Sequence, residues 1–272
     1  ALTGNANTAI GYKSLYVAQG TARTNTAVGQ NTLQALTTGY RNVVMGGAAA
    51  YSLTTGIENT MIGTDAGGNT VDSNGHTLIG YDAGGNGDIA NDGVTAIGHS
   101  AGASITSAQR ITAVGYAALF SEDAGSYQTA VGYQALSQAN ADNGHNTALG
   151  QRAGYTLTTG YSCTFLGSGA DSSDAGGINR IGIGQGVTVG ANNIAVIGSN
   201  DLTDVYMAQD AGATVHGAKP EWADSSKKYY KIVGSKSLTA NSATDFIVAG
   251  HSHNYTIQVW CDSTNKGMGS TK

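Results

Sequence analysis

The sequence predicts an all-β fold, a parallel β-solenoid built from short stacked coils, and three observations carry that reading. The five-residue unit Asn7-Thr8-Ala9-Ile10-Gly11 recurs almost to the end of the chain. The glycines that close its copies, from Gly11 through Gly29, Gly46 and Gly63 to Gly184, stand 17 or 18 residues apart, and a last step of 14 reaches Gly198. The composition is also far from that of an average globular domain, with 41 glycines, one proline and 11% charged residues in 272. A period this short and strict marks repeats stacked on one another. Glycines held at fixed positions are turn residues and do not signal disorder.

The unit is too short for a helical hairpin and poor in helix formers. It fits one coil: a short strand, a glycine turn, a second short strand and a return loop. Successive coils then lie one strand spacing apart, about 4.8 Å. The residue before each glycine is apolar throughout (Ile10, Val28, Met45, Ile62 and on to Ile197), and so is the one before that (Ala9, Ala27, Val44, Met61 and on to Val196, with Gly182 in the series). Neighbouring strand residues point to opposite faces, so both faces of this strand are expected to be dry. One face is expected to pack against its own coil. The other needs a second chain along a shared axis, because a single coil this thin buries too little surface to stand alone.

Other columns follow from the same alignment. The third residue after the glycine is small (Ser14, Thr32, Ala49), and the fourth is either Leu (Leu15, Leu33, Leu119, Leu136) or Gly (Gly67, Gly84, Gly102, Gly154). Small residues let the coils stack closely, and leucine fills the same gap from one side. Asn7, Asn25, Asn42, Asn59 and Asn146 open the strand. Stacked Asn amides hydrogen-bond along such a column and tolerate left-handed backbone, which suits a corner. The Thr column that follows shares a face with the Ile/Val column and is expected at the edge of the buried surface. Cys163 replaces the Asn and is expected to be a thiol within the ladder, with a disulfide to a second copy as the alternative. Two cysteines, Cys163 and Cys261, make no disulfide framework.

At these residues a family resemblance emerges. The stretches "NTAIGYKSL", "NTAVGQNTL", "QTAVGYQAL" and "NTALGQRAG" resemble the head repeats of trimeric autotransporter adhesins, the YadA-like left-handed β-roll. They resemble still more the longer repeats of bacteriophage tail fibres. The adhesin heads use a shorter coil, which only the final 14-residue step matches. The resemblance implies a left-handed β-roll in a homotrimeric shaft, placed on a virion as a tail fibre or spike. It implies a host cell-surface glycan or protein and other tail proteins as partners, and attachment without catalysis. The alternatives are a bacterial trimeric autotransporter adhesin head and, in a different class, a polysaccharide-depolymerising tailspike.

Three regions are expected: a repeat shaft over residues 1–198, a cap or neck over 199–219, and a small antiparallel β tip domain over 220–272. Lys219-Pro220 marks the last boundary, beyond which aromatic, strand-like runs replace the repeat. The chain opens inside a repeat and ends on "NKGMGSTK" without a closing strand, so it is expected to be part of a longer protein.

Receptor contact is expected at the tip, on Trp222, Tyr229, Tyr230 and Trp260. His251 and His253 would face one way from a strand, with Tyr255, and three such pairs around an axis would supply an octahedral set of nitrogens for iron, nickel or zinc. That arrangement resembles the His-x-His iron sites of some long tail-fibre tips. Hydrogen-bonded or surface histidines are the plainer reading.

The charge is acidic over residues 1–218, where six Lys/Arg stand against 14 Asp/Glu. No basic, aromatic-laced cluster argues for nucleic acid, and no apolar run reaches membrane-spanning length. Asp65 and Asp82 stack one coil apart, a spacing a glycosidase's two carboxyls could share; solvated surface acids are the expected reading. Tyr12, Tyr81, Tyr116 and Tyr133 each follow a turn glycine, where they could stack on sugars or shield the turn backbone.

Overall fold

The computed structural model describes residues 5–18, 21–72, 74–89, 93–140, 142–203 and 205. The chain divides into two units, Ala1–Thr214 and Val215–Lys272, and every described residue belongs to the first. The expected tip domain and most of the neck therefore lie outside the described residues.

The described residues form a parallel β-solenoid without an α-helix among them. Its first ten strands are β1 (Thr8–Ile10), β2 (Thr26–Val28), β3 (Val43–Met45), β4 (Thr60–Ile62), β5 (Thr77–Ile79), β6 (Val94–Ile97), β7 (Ile111–Val114), β8 (Thr129–Val131), β9 (Thr147–Leu149) and β10 (Thr164–Leu166). Four more follow: β11 (Asp171–Ser172), β12 (Ile181–Ile183), β13 (Thr188–Val189) and β14 (Ala195–Ile197). Twelve of them stack in chain order as one sheet, β1 to β10, then β12 and β14, all parallel. Register never slips: Thr26 pairs with Thr8 and Val43, and Ala130 with Ala113 and Ala148. The repeat thus maps one coil onto one strand.

The expected second strand of each coil is replaced by a turn. The second and fourth residues after the glycine adopt left-handed backbone, as at Asn31 (φ 58°) and Leu33 (φ 49°), or Asp65 (φ 57°) and Gly67 (φ 59°). Alternating left-handed residues cannot extend into a strand. Coil-to-coil hydrogen bonding continues through them, with Leu33 N donating to Ala49 O (3.1 Å) and Ala50 N to Ala66 O (2.9 Å). Among the described residues a true second pair, β11 with β13, forms only where the repeat degenerates.

This left-handed position explains the Leu/Gly alternation. Leu15, Leu33, Leu119 and Leu136 hold φ near 50°, at a cost of about 1–2 kcal/mol each. Burying a leucine side chain contributes about 1.5–3 kcal/mol, and all four are buried, so the strain is offset. These leucines sit in coils whose inward strand residue is alanine (Ala27, Ala113, Ala130). Where that residue is large, as at Met61 and Leu78, the fourth position is Gly67 or Gly84. A Cβ at Gly67 would press on Met61 Sδ and Leu78 Cδ1. Gly102 yields its space to Ile105, and Gly154 to Leu136 and Phe165. The core is filled column against column.

The turn glycines cannot be replaced. From Gly11 to Gly184 they hold φ between 128° and 139°, a region closed to L side chains. A Cβ at Gly63 would also collide with the Gly80 carbonyl of the next coil.

The Asn column forms the predicted ladder and faces inward. Asn25, Asn42 and Asn59 are buried. Asn25 N and Nδ2 donate to Asn7 Oδ1 (3.0 and 3.2 Å), and Asn42 N and Nδ2 donate to Asn25 Oδ1 (both 3.0 Å). Asn59 repeats the pattern on Asn42. Asn25 Nδ2 also reaches Gly39 O (2.9 Å), and Asn42 Nδ2 reaches Gly56 O (2.8 Å), tying the strand to its own return loop. The left-handed residue at this corner is not the Asn but the one before it, as at Thr24, Arg41 and Glu58. At Val94 and Ile111 the amide is gone, and there the strands lengthen to four residues with Val94 paired to Ile111.

Candidate functional site: the outer sheet face

Alternation decides what each strand shows to solvent. The inward column, from Ala27 through Val44, Met61, Leu78 and Ala113 to Phe165, is fully buried within the single chain. The outward columns are the Thr residues and the Ile/Val residues two positions on. Neither is dry in the single chain. The Ile/Val column is half-exposed or exposed along its length, with Met45 at 42%, Leu149 at 47% and Ile197 at 49%. The Thr column, expected at a buried edge, is half-exposed to exposed. The expectation of two dry faces therefore holds for one face only within this chain.

This outer face is continuous, in register and free of charged residues across all twelve strands. At about 4.8 Å per coil it runs roughly 50 Å. Three residues across add about 10 Å of width, so the strip covers about 500 Å², with Thr in most of one outward column and apolar residues in the other. An apolar patch of roughly 300–600 Å² is the largest an ordinary monomer shows and is often functional.

Beside the strip, one residue past the turn glycine, lies a ring ladder. Tyr81 and His99 stand 4.9 Å apart at 32°, His99 and Tyr116 5.2 Å apart at 26°, and Tyr116 and Tyr133 5.2 Å apart at 12°. The rings occupy one another's faces and present mainly edges to solvent. Faces stacked on one another in this way are closed to a sugar ring. His99 escaped the sequence reading, although its column position next to Tyr81 and Tyr116 marks it. Tyr12 stays outside the ladder, with Lys13 Nζ 5.5 Å from its ring.

Two polar clusters lie inside the solenoid. Glu122 takes the buried position that Leu36 and Leu53 fill in other coils, and Gln128 takes the Asn position six residues on. Gln128 Nε2 donates to Glu122 Oε2, and Gly125 N donates to Glu122 Oε1 (2.6 Å). The longer amide thus meets a carboxylate where two other coils carry Leu with Asn, Leu36 with Asn42 and Leu53 with Asn59. Arg180 ends the Asn column as a buried cation. Its guanidinium donates to Ser172 Oγ (2.7 Å), Val189 O (3.0 Å) and Asn192 Oδ1 (3.0 Å), and it pairs with Asp174 (2.8 Å). The Asp174 carboxyl is held below the usual carboxylate range, chiefly by that hydrogen bond. Glu122, Gln128 and Arg180 are buried and hydrogen-bonded within the chain, whereas the Asp174 side chain is about half exposed.

Asp82 is pushed above the usual carboxylate range, first by burial and further by the charge of Asp65, against a lowering bond from Asn86. Both acids lie half-buried on the turn. Cys163 is fully buried in the Asn column, where it donates to Gly177 O (3.3 Å) and its N–H donates to Asn146 Oδ1 (3.0 Å). That inward position removes the alternative of a disulfide to a second copy through this thiol.

Trp222, Tyr229, Tyr230, Trp260, His251 and His253 lie outside the described residues. Among the described residues no group of three or more His, Cys, Asp or Glu is placed to hold a metal ion. No known family, curated protein or solved structure matches this chain.

Proposed function

We propose that the chain is a structural and host-attachment component of a phage tail fibre or spike, a homotrimeric solenoid shaft that presents a receptor-binding tip. The carrying observation is the uncharged outer face that runs unbroken over twelve strands. Water-facing Ile and Val at this density form a standing liability unless another chain covers them. A parallel trimer would place the three strips around one axis, each meeting the other two. The strip alone falls short of the roughly 800 Å² per partner of a standard interface. The adjoining ladder of Tyr81, His99, Tyr116 and Tyr133 would supply part of the remainder.

In this reading the shaft does no chemistry. It holds the tip away from the particle, and three weak contacts per fibre gain avidity on a repetitive cell surface. The tip contacts would be Trp222, Tyr229, Tyr230 and Trp260, with a metal at His251 and His253 as an accompanying proposal. Native mass spectrometry of the whole chain tests the assembly. A trimer is the expected result, and a monomer at micromolar concentration overturns the reading. The same fold would serve a bacterial trimeric adhesin head, and electron microscopy that locates the protein on virions or on cells separates the two.

A depolymerising spike is the reading of another class, and the upward push on Asp82 beside Asp65 is the one observation that favours it. Incubation with host polysaccharide tests it. Shortened chains, lost in Asp82→Asn, would establish that activity.

A further inference from the structure

Two copies of one tripeptide sit in different places in the shaft: Asn74-Gly75-His76 and Asn143-Gly144-His145. An Asn followed by Gly is the least hindered setting for intramolecular attack by the next backbone nitrogen on the side-chain amide, because glycine has no Cβ to block it. The local sequence is the same at both sites, so any difference in reactivity comes from the fold.

At the first copy both reacting groups are engaged. Asn74 Oδ1 accepts from Ile57 N (2.9 Å), and Gly75 N donates to Ile57 O (3.1 Å). At the second copy neither is. The exposed Asn143 side chain makes no hydrogen bond and Gly144 N donates none among the described residues. A third Asn-Gly, Asn86-Gly87, is intermediate, with Asn86 Nδ2 donating to Asp82 Oδ2 (3.0 Å).

From this contrast we infer that Asn143 is a site of spontaneous, site-selective modification in the folded shaft, its side-chain amide converting to aspartyl and isoaspartyl. The nucleophile is Gly144 N. As its proton leaves, it bonds to Asn143 Cγ, and the Cγ–Nδ2 bond breaks to release ammonia. Water then opens the resulting succinimide at either carbonyl, giving Asp from one and isoaspartate from the other. The balance is one water consumed and one ammonia released, with no oxidant or cofactor.

The position gives the change a consequence. Gly144 O accepts from Ser162 N (3.1 Å), and the Asn143 carbonyl bonds His145 Nδ1 (2.6 Å). The His145 ring in turn stacks on Tyr127 at 4.9 Å. The guanidinium of Arg110 lies 5.1 Å from the same Tyr127 ring, so an isoaspartyl link adds a backbone atom at this corner and a negative charge beside His145, Tyr127 and Arg110. This inference does not depend on the assembly proposed above.

The test is peptide mapping by mass spectrometry after incubation of the whole chain at mildly alkaline pH, once native and once unfolded in urea. In the native chain Asn143 is expected to convert about tenfold or more faster than Asn74, since two hydrogen bonds must open at Asn74. In the unfolded chain the two sites should converge. Equal native rates, an Asn143 that reacts only when unfolded, or a difference that persists in urea would each overturn the inference.

Discussion

Replacing Asn42 by alanine tests what holds the coils in register. The side chain accepts from Asn59 N (3.0 Å) and donates to Gly56 O (2.8 Å), and both positions are buried. Alanine leaves a donor and an acceptor without these partners. Each such group costs about 1–3 kcal/mol, so the loss should be about 2–6 kcal/mol. The cost should also be local, because a coil touches only its neighbours. Hydrogen exchange at the Asn59 amide reads the local effect, and urea unfolding followed by circular dichroism reads the global one. Glu58→Ala is the control. It removes an ion pair to Arg41 whose side chains are 54% and 63% exposed, which should matter by less than about 1 kcal/mol. If Asn42→Ala is no worse than Glu58→Ala, the amide ladder does not hold the stack together.

Three further substitutions follow from the same columns. Gly63→Ala forces a side chain into φ 137° and against the Gly80 carbonyl, and it should cost more than about 2 kcal/mol by the same unfolding measurement. Cys163→Asn restores the column's amide and should stabilise by about 1 kcal/mol. Burial pushes the native thiol up, so the folded chain keeps a proton that the unfolded chain loses, and stability should fall as pH climbs above the thiol's ordinary range. Cys163→Asn removes that alkaline decline. Glu122→Leu alone takes from the Gln128 amide its carboxylate acceptor, leaving it Gly125 O, and Gln128→Asn alone takes from the carboxylate its side-chain donor, leaving it Gly125 N. Together they rebuild the Leu–Asn pair of Leu36 and Asn42, and a thermal-unfolding cycle should show a favourable coupling of about 1–3 kcal/mol.

Much of the shaft was legible in the sequence because a stack in register turns spacing into contact. Asn25, Asn42 and Asn59 needed only alignment to be recognised as a hydrogen-bonded ladder. The inward alanines and the outward Ile/Val residues were legible as apolar columns, but period alone does not say which column its own chain covers. The burial of Ala27 beside the exposure of Met45 answers that for the single chain. The second strand was misread because leucines such as Leu33 and Leu136 look extended, whereas here they take left-handed backbone that packing sustains. Glu122 with Gln128 went unnoticed because the exchange is reciprocal across six residues and breaks two columns at once. The tip residues carried their own aromatic signal, but nothing in the shaft's periodicity bears on them.

The unslipped pairing has a consequence for how such a rod changes length. Deleting a full turn, for example from Thr112 to Gln128, would bring Ile111 against Thr129 and leave the columns around the splice in step. The rod would shorten by about 4.8 Å with its fold intact. Deleting one residue within a strand would instead swap its inner and outer sides. The 18-residue steps show where a spare residue is tolerated, for between Gly80 and Gly98 the strands still align, Leu78 on Ala96 and Ile79 on Ile97. Length in this molecule is therefore quantised, and variation is steered into the return loops.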